Sequence, residues 1–220
     1  MRLTSLFPPA KNSFQNLQLT RRYLSFVKSI YNHERFVFAD EKPMKEINIF
    51  SKVRRNPFSG GVPDHTCNAN SKNRYNILAA VTVKTTAKPV SFIVIEETSN
   101  SYTFLKFVEY LIDNCVLVRG DIFVVDNCSI HMSGDNDSLQ NILFFKCGIL
   151  MVPLPPYTPE LNPCEFVFQT LVQRMRSKNN RERSKNNAKF IQKVESELSN
   201  FVRNDVVKEY IHAGYKRNIR

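Results

Sequence analysis

Three acidic residues stand where predicted secondary-structure elements end or begin. Asp40 closes the apolar run 35–40 (RFVFAD), Asp126 closes the run 121–126 (DIFVVD), and Glu165 opens a helical pattern after a proline-rich loop. If the two strands are parallel neighbours, Asp40 and Asp126 emerge side by side at the carboxyl edge of a sheet, where open α/β sheets bind ligands. Glu165, in the first turn of a helix packed on that edge, could reach the same point.

Three converging carboxylates indicate a divalent-cation site, because they repel one another unless a cation lies among them. Hard oxygen ligands with room for water suit Mg²⁺ or Mn²⁺. Two such ions, about 3.5–4 Å apart, can activate a water and stabilise the leaving oxygen of a phosphodiester. Each acid also has a simpler interpretation. Asp40 and Asp126 are compatible with turn residues after strands, and Glu165 with a capping box that Asn162 opens.

Hydrophobic periodicity predicts the elements that must position these acids. Compact apolar runs typical of buried strands occupy 35–40, 75–83, 89–95, 121–126 and 149–154. Helical spacing is found over 17–31, 98–118, 138–147, from 163 onward, and over 190–202 and 205–215. Asn100 or Ser101 is expected to cap the second of these helices, and Gly148 to end the third. The order predicts an α/β fold with one mixed five-stranded sheet flanked by helices.

Composition excludes several classes of protein. The 220 residues are 42% hydrophobic and 23% charged, which is typical of a globular chain. No apolar run reaches the roughly 18 residues of a membrane span, so no membrane partner is expected. Pro8, Pro9 and Lys11 interrupt the N-terminal apolar stretch, which argues against a signal peptide. The five cysteines are widely spaced and lack a C-x-x-C pair, which predicts reduced thiols in an intracellular protein.

The net charge of +11 is unevenly distributed. Residues 1–35 carry +5 and residues 171–220 carry +8, whereas residues 36–170 carry −2. Basic ends around a slightly acidic centre suggest a polyanion partner, with nucleic acid foremost. A solubilising surface explains the charge equally well.

Longer motifs resemble a known family. VVDNCSIH (124–131) and GILMVPLPPYTPELNPCE (148–165) resemble the catalytic core of mariner-type DDE transposases, the Tc/mariner superfamily. In that family an apolar strand leads into D-N-x-x-x-H, and a second leads into L-P-P-Y-[ST]-P-x-L-N-P-x-E. FVFADE (36–41) resembles its first acidic strand, and the likeness extends over residues 20–215.

The resemblance implies a ribonuclease-H-like fold, and it places the family's catalytic acids at Asp40, Asp126 and Glu165. It further implies that these acids bind two Mg²⁺ or Mn²⁺ ions, cut DNA at transposon ends and join the freed 3′-hydroxyl to a target TA step. DNA is then the partner, a homodimer is expected, and the nucleus is the expected location.

The remaining motif residues have supporting interpretations. Asn127 and His131 either orient Asp126 or contact DNA, although His131 also fits a satisfied core or helix-start histidine. Asn162 is expected to cap the helix that carries Glu165. Tyr157 either stacks on a base or packs beneath the loop that Pro155, Pro156 and Pro159 stiffen. Candidate phosphate contacts, which are equally compatible with a solvated helix face, are Arg174, Arg176, Lys178, Arg181 and Arg183.

Three regions are predicted: an N-terminal segment with a short basic helix (1–34), a catalytic domain (35–178) and a basic helical tail (179–220). Mariner-type enzymes carry paired helix-turn-helix modules before the first catalytic Asp, and only 39 residues precede Asp40. We therefore expect a catalytic domain without those modules. The alternative is a catalytically silent DNA-binding remnant of a truncated transposase.

Overall fold

The structure, a computed structural model, describes residues 13–44, 75–96, 99–126, 136–176, 187–216 and 219. Five strands form one mixed sheet in the order β3-β2-β1-β4-β5. The strands are β1 (Phe36–Met44), β2 (Tyr75–Thr82), β3 (Val90–Ile95), β4 (Ile122–Val125) and β5 (Leu150–Pro153). The predicted mixed five-stranded sheet is confirmed.

The sheet has an antiparallel half and a parallel half. β1, β2 and β3 pair antiparallel in sequence order, so the polar segment 83–89 makes a hairpin connection. β1, β4 and β5 run parallel, which requires helical crossovers between them. The condition that the first and fourth strands are parallel neighbours is therefore met.

β1 differs from its prediction, because Asp40 lies inside the strand rather than at its end. The pairing of β1 with β4 ends at Ala39 and Val125, but the pairing with β2 continues to Met44 and Tyr75. The antiparallel partner holds β1 extended after the parallel partner has ended. Asp40 thus occupies the step where one neighbouring strand stops and the other continues.

Helices cover both faces of the sheet. They are α1 (Phe14–Ser29), α2 (Ser101–Asp113), α3 (Asn136–Ile142), α4 (Pro163–Arg176), α5 (Asn187–Ser199) and α6 (Arg203–His212). α3 continues into a π-helical turn, Leu143–Cys147, and short 3₁₀ turns form at His33–Arg35 and Pro159–Leu161. None of the described helices is long and apolar enough to cross a membrane.

The predicted helix ends follow from local chemistry. The Asn100 side chain accepts a hydrogen bond from the Thr103 amide at 2.9 Å, and Thr103 Oγ1 accepts one from the Asn100 amide at 2.8 Å. This reciprocal capping box starts α2. Gly148 ends the π-helical turn with a left-handed φ of 68°, a conformation that glycine adopts without the penalty of a Cβ atom.

Both faces of the sheet are buried, so each strand sends alternate side chains into two different cores. Phe36 and Phe38 join Ile122 and Val124 in a core that contains residues of α1, α4, α5 and α6. The intervening Val37 joins the opposite core, which α2 covers. This alternation determines which face receives the acids.

The C-terminal helices share the first of these cores. Phe190 and Leu198 of α5 and Val206 of α6 are buried in it. The Tyr210 hydroxyl, also buried, donates toward the backbone oxygens of Phe36 and Val81, at 2.8 and 2.9 Å. α6 is thereby attached to β1, which carries Asp40, and to its antiparallel neighbour β2.

The division of the chain into an N-terminal segment, a catalytic domain and a C-terminal tail stays a prediction.

We predict that Tyr210→Phe lowers the free energy of unfolding by about 1–3 kcal/mol, because it leaves two buried carbonyl oxygens without their hydroxyl donor. Urea unfolding measures the loss. Tyr102→Phe is the matched control, since Tyr102 on α2 is 63% exposed and should change stability little. Equal stability of the two variants would contradict this role for Tyr210.

Candidate active site

Strand alternation brings Asp40 and Asp126 to one face of the sheet. Asp40 lies two residues after Phe38, and Asp126 two residues after Val124, so both acids continue the rows that enter the α4-side core. Because Ala39 pairs with Val125, the next residue of each strand is an acid at the same level of the sheet. The register alone therefore makes the two carboxylates neighbours.

α4 supplies the third acid from the same side. Its apolar side chains Cys164, Val167 and Phe168 are buried in the core that Phe36 and Phe38 enter. The Cys164 thiol donates to the backbone oxygen of Phe38 at 3.4 Å, which holds the first turn of α4 against β1. Glu165, the next residue, thus lies beside the acid-bearing end of the sheet.

Asn162 connects the helix start to the first acid. Its Oδ1 accepts a hydrogen bond from the Cys164 amide at 3.1 Å, and its Nδ2 donates to Asp40 Oδ2 at 2.8 Å. The predicted cap is confirmed. The Asn162 backbone N–H donates to the Pro159 oxygen at 3.0 Å, and the Glu165 side chain is directed elsewhere, toward Lys42. Glu165 is therefore not the return half of a capping box.

Asp40 is a strongly perturbed carboxyl group. Its side chain is 7% exposed and accepts hydrogen bonds from Asn162 Nδ2 and, at 2.7 Å, from the Glu41 amide. Burial, followed by repulsion from Asp126 and Glu165, raises the pKa of Asp40 from 3.8 to about 8, while the Glu41 amide and Lys42 oppose the rise. Asp126 and Glu165 are thus close enough to Asp40 to disfavour its charged form.

Lys42 is a functional candidate that the sequence analysis missed. Its Nζ lies 3.4 Å from Glu165 Oε2 and 5.9 Å from the centroid of the Phe168 ring. Lys42 shares a face with Asp40 because it lies two residues further along β1. Strand alternation could have predicted this position, but the predicted strand ended at Asp40, so Lys42 was not considered part of it.

The three acids line one open cleft of about 470 Å³. Its other walls come from the connection between β5 and α4, and the lining residues are Leu154, Pro155, Pro156, Tyr157, Thr158, Pro159 and Asn162. The site therefore has an acidic floor beneath a rigid, proline-rich wall. It is wide enough to admit a phosphodiester together with water.

The carboxylates have the donor chemistry that a divalent cation requires. The three carboxylates offer hard oxygen ligands at one cleft. They also repel one another, and a bound cation would remove that repulsion. Within the described residues, however, no three His, Cys, Asp or Glu side chains are gathered closely enough to hold a single ion. Asn162 donates a hydrogen bond to Asp40, and the positively charged Lys42 forms an ion pair with Glu165.

Several predicted site residues lie outside the described part of the chain: Asn127, His131, Lys178, Arg181 and Arg183.

The described cysteines form no disulfide: Cys115, Cys147 and Cys164 are free thiols.

Of the predicted phosphate contacts, the structure describes Arg174 and Arg176, which lie near the C-terminal end of α4. Arg174 Nη2 lies 3.1 Å from Asp205 Oδ2, and its guanidinium lies 4.1 Å from the centroid of the Phe201 ring. Arg174 thus has a structural contact to α6, and Arg176 is exposed nearby. Their contact with phosphate stays a prediction.

Comparisons with known proteins agree with this geometry. The profile of the DDE superfamily endonuclease family matches residues 35–187, a span that contains Asp40, Asp126 and Glu165. A comparison with curated proteins finds no match.

Solved structures of Mos1 transposase share the fold. The Mos1 mariner paired-end complex with Mn has a TM-score of 0.70 at 14% identity, over 96% of this chain and 63% of that chain. The Mos1 paired-end complex with left transposon end has a TM-score of 0.69 at 14% identity, over 96% of this chain and 62% of that chain. The Mos1 catalytic domain with raltegravir and Mg has a TM-score of 0.62 at 13% identity, over 90% of each chain. The present chain thus spans less than two thirds of the two longer Mos1 chains.

At these identities the likeness establishes the ribonuclease-H-like fold, which confirms the predicted fold class. The family match covers more than half of the chain and includes the strands and the helix that carry the three acids. The chain therefore belongs to the DDE superfamily endonuclease family and has the fold of the mariner transposase catalytic domain.

Proposed function

We propose that this chain is the catalytic domain of a DNA transposase, which cuts DNA in a reaction dependent on Mg²⁺ or Mn²⁺ and transfers the resulting 3′-hydroxyl to target DNA. The observation that carries the proposal is the grouping of Asp40, Asp126 and Glu165 around one cleft. Membership of an endonuclease family supports the cleavage step. The Mos1 complexes named with Mn and with Mg support the choice of cation.

Asp40, Asp126 and Glu165 would hold two divalent ions, with carboxylate oxygens as ligands. When bound, the ions supply activation of the attacking hydroxyl and stabilisation of the leaving 3′-oxygen. Asn162 donates to Asp40 Oδ2 at 2.8 Å while the Glu41 amide donates to Oδ1, so the two hydrogen bonds together fix the orientation of the Asp40 carboxylate. Lys42 limits the repulsion between the acids, and its ammonium group lies close enough to the cleft to meet a phosphate.

DNA is the proposed partner, both as transposon end and as target. The Mos1 complex named with a transposon end supports it, and so do the basic flanks of +5 and +8. The proposed phosphate contacts are Arg176, the last residue of α4, and Lys178, Arg181 and Arg183, in the basic sequence that follows it. We also propose a homodimer and a nuclear location, in keeping with action on chromosomal DNA.

We predict that Asp126→Asn abolishes metal-dependent nicking of supercoiled plasmid but leaves salt-sensitive DNA binding nearly unchanged, because it removes a proposed metal ligand and no proposed phosphate contact. Gel analysis in Mg²⁺ and in Mn²⁺ measures nicking, and anisotropy of labelled DNA measures binding. Asp113→Asn, an exposed change at the end of α2, is the matched control and should nick like the wild type.

Equal nicking by the wild type and Asp126→Asn would contradict the catalytic role of Asp126. Binding without any nicking by the wild type would instead favour the catalytically silent remnant.

The raised pKa of Asp40 predicts how metal-free stability depends on pH. A carboxyl whose pKa is about 8 when folded and 3.8 when unfolded binds its proton more tightly in the folded chain. Its contribution to stability is complete below the unfolded pKa and is lost as the pH rises toward the folded pKa. In EDTA, wild-type stability should therefore fall between about pH 5 and pH 8.5 relative to Asp40→Asn.

Urea unfolding of both proteins across this pH range measures the difference between them. Added Mg²⁺ should reduce the wild-type loss, because a cation replaces the proton in relieving the repulsion. Parallel pH curves for the two proteins in EDTA would show that Asp40 has no raised pKa.

The two contacts of Asn162 can be separated by substitution. Asn162→Ser retains a helix cap but lacks the amide that reaches Asp40, whereas Asn162→Ala lacks both. We expect Asn162→Ser to lose about 1 kcal/mol, because Asp40 loses a buried hydrogen-bond donor, and Asn162→Ala to lose about 1 kcal/mol more, because the helix cap is lost as well. Both should nick DNA more slowly. Full nicking activity in Asn162→Ser would show that the contact with Asp40 is dispensable.

A further inference from the structure

Tyr157 has an exposed ring on the wall of the acidic cleft. It lies in the connection between β5 and α4, and its side chain is 51% exposed. Of the two interpretations left open by the sequence, packing beneath the loop does not describe this position. Tyr157 supplies the aromatic ring among the described residues that line the cleft.

The backbone of Tyr157 is held in a conformation that favours glycine. Its φ of 60° lies in the left-handed region, where a side chain with a Cβ atom costs about 1–2 kcal/mol. With half of the ring in solvent, burial offsets little of this cost. A residue that is both strained and exposed contributes poorly to stability, and such residues cluster at functional sites.

The surrounding loop is rigid enough to maintain that conformation. Thr158 is buried, and its Oγ1 donates to the Pro155 backbone oxygen at 2.6 Å. Pro156 fixes the backbone immediately before Tyr157, and Pro159 begins a 3₁₀ turn immediately after Thr158. The loop backbone therefore holds Tyr157 in place at the cleft wall.

We propose that Tyr157 stacks on a nucleobase next to the phosphodiester that is cut. The inference rests on the proposed function, which puts the scissile phosphate at the three carboxylates. Bases inside a duplex have both faces covered by their neighbours, so a stacking contact with Tyr157 requires that a base next to the cut phosphodiester be unstacked or unpaired. A rigid exposed aromatic ring replaces the lost stacking and accepts any base, because every base has a π-face.

The chain has no tryptophan, so Tyr157→Trp introduces a single fluorescent reporter at the proposed contact. We expect its emission to be strongly quenched by a duplex with a short unpaired 3′ overhang, and less by a blunt duplex. Phe145→Trp is the matched control, since Phe145 is 76% exposed and precedes the amino end of β5, the opposite edge of the sheet. Its emission should change little. Anisotropy of labelled DNA shows independently that the DNA is bound.

Activity and stability of three further variants separate stacking from a structural role. Tyr157→Gly relieves the strained φ and removes the ring, so it should melt at or above the wild-type temperature yet nick DNA about tenfold more slowly or worse. Tyr157→Ala should be equally slow, and Tyr157→Phe, which keeps the ring, should stay within about twofold of the wild type.

Unquenched Tyr157→Trp bound to DNA, or full nicking by Tyr157→Gly, would overturn the stacking role and leave the proposed function intact. A wild type that neither binds nor nicks DNA would overturn both. A destabilised Tyr157→Gly would show that the ring has a structural role instead.

Discussion

The structure depends on one electrostatic constraint: a buried carboxylate, Asp40, is held beside two others. Without a cation this arrangement is costly, and it raises the pKa of Asp40 to about 8. The neighbouring groups act to limit that cost. The Glu41 amide and Asn162 donate hydrogen bonds to Asp40, and Lys42 pairs with Glu165. A fold that served stability alone would have little reason to concentrate negative charge at this point.

The geometry that creates this concentration comes from ordinary rules of sheet packing. Alternation along β1 and β4 sends Asp40 and Asp126 to the face covered by α4, and the parallel register places them at the same level. Phe36 and Phe38 occupy the same row and contribute the core against which α4 packs. The apolar side chains that stabilise the fold thus also determine where Glu165 lies. Tyr210 extends this support to the C-terminal helices by binding the backbone of β1 and β2.

Periodicity and motif spacing were sufficient to predict the mixed sheet and the cap at Asn162, whereas the parallel pairing of the acid-bearing strands entered only as a condition, which the structure meets. They were insufficient where long-range pairing overrides a local pattern. Asp40 looked like a strand end because an acid followed an apolar run, but β2 keeps β1 extended as far as Met44. Lys42 was missed for that reason. The exposure and left-handed φ of Tyr157 are properties of the folded loop that no local sequence pattern specifies.

The most direct test of the account is a crystal structure of the protein soaked in Mn²⁺, with the anomalous signal used to locate the ions. The account predicts manganese in the cleft, with carboxylate oxygens of Asp40, Asp126 and Glu165 as ligands at the roughly 2.0–2.6 Å typical of oxygen ligands to hard divalent cations. The Lys42–Glu165 contact should be broken or lengthened in that structure. Manganese absent from the cleft at saturating concentration, with the ion pair intact, would contradict it.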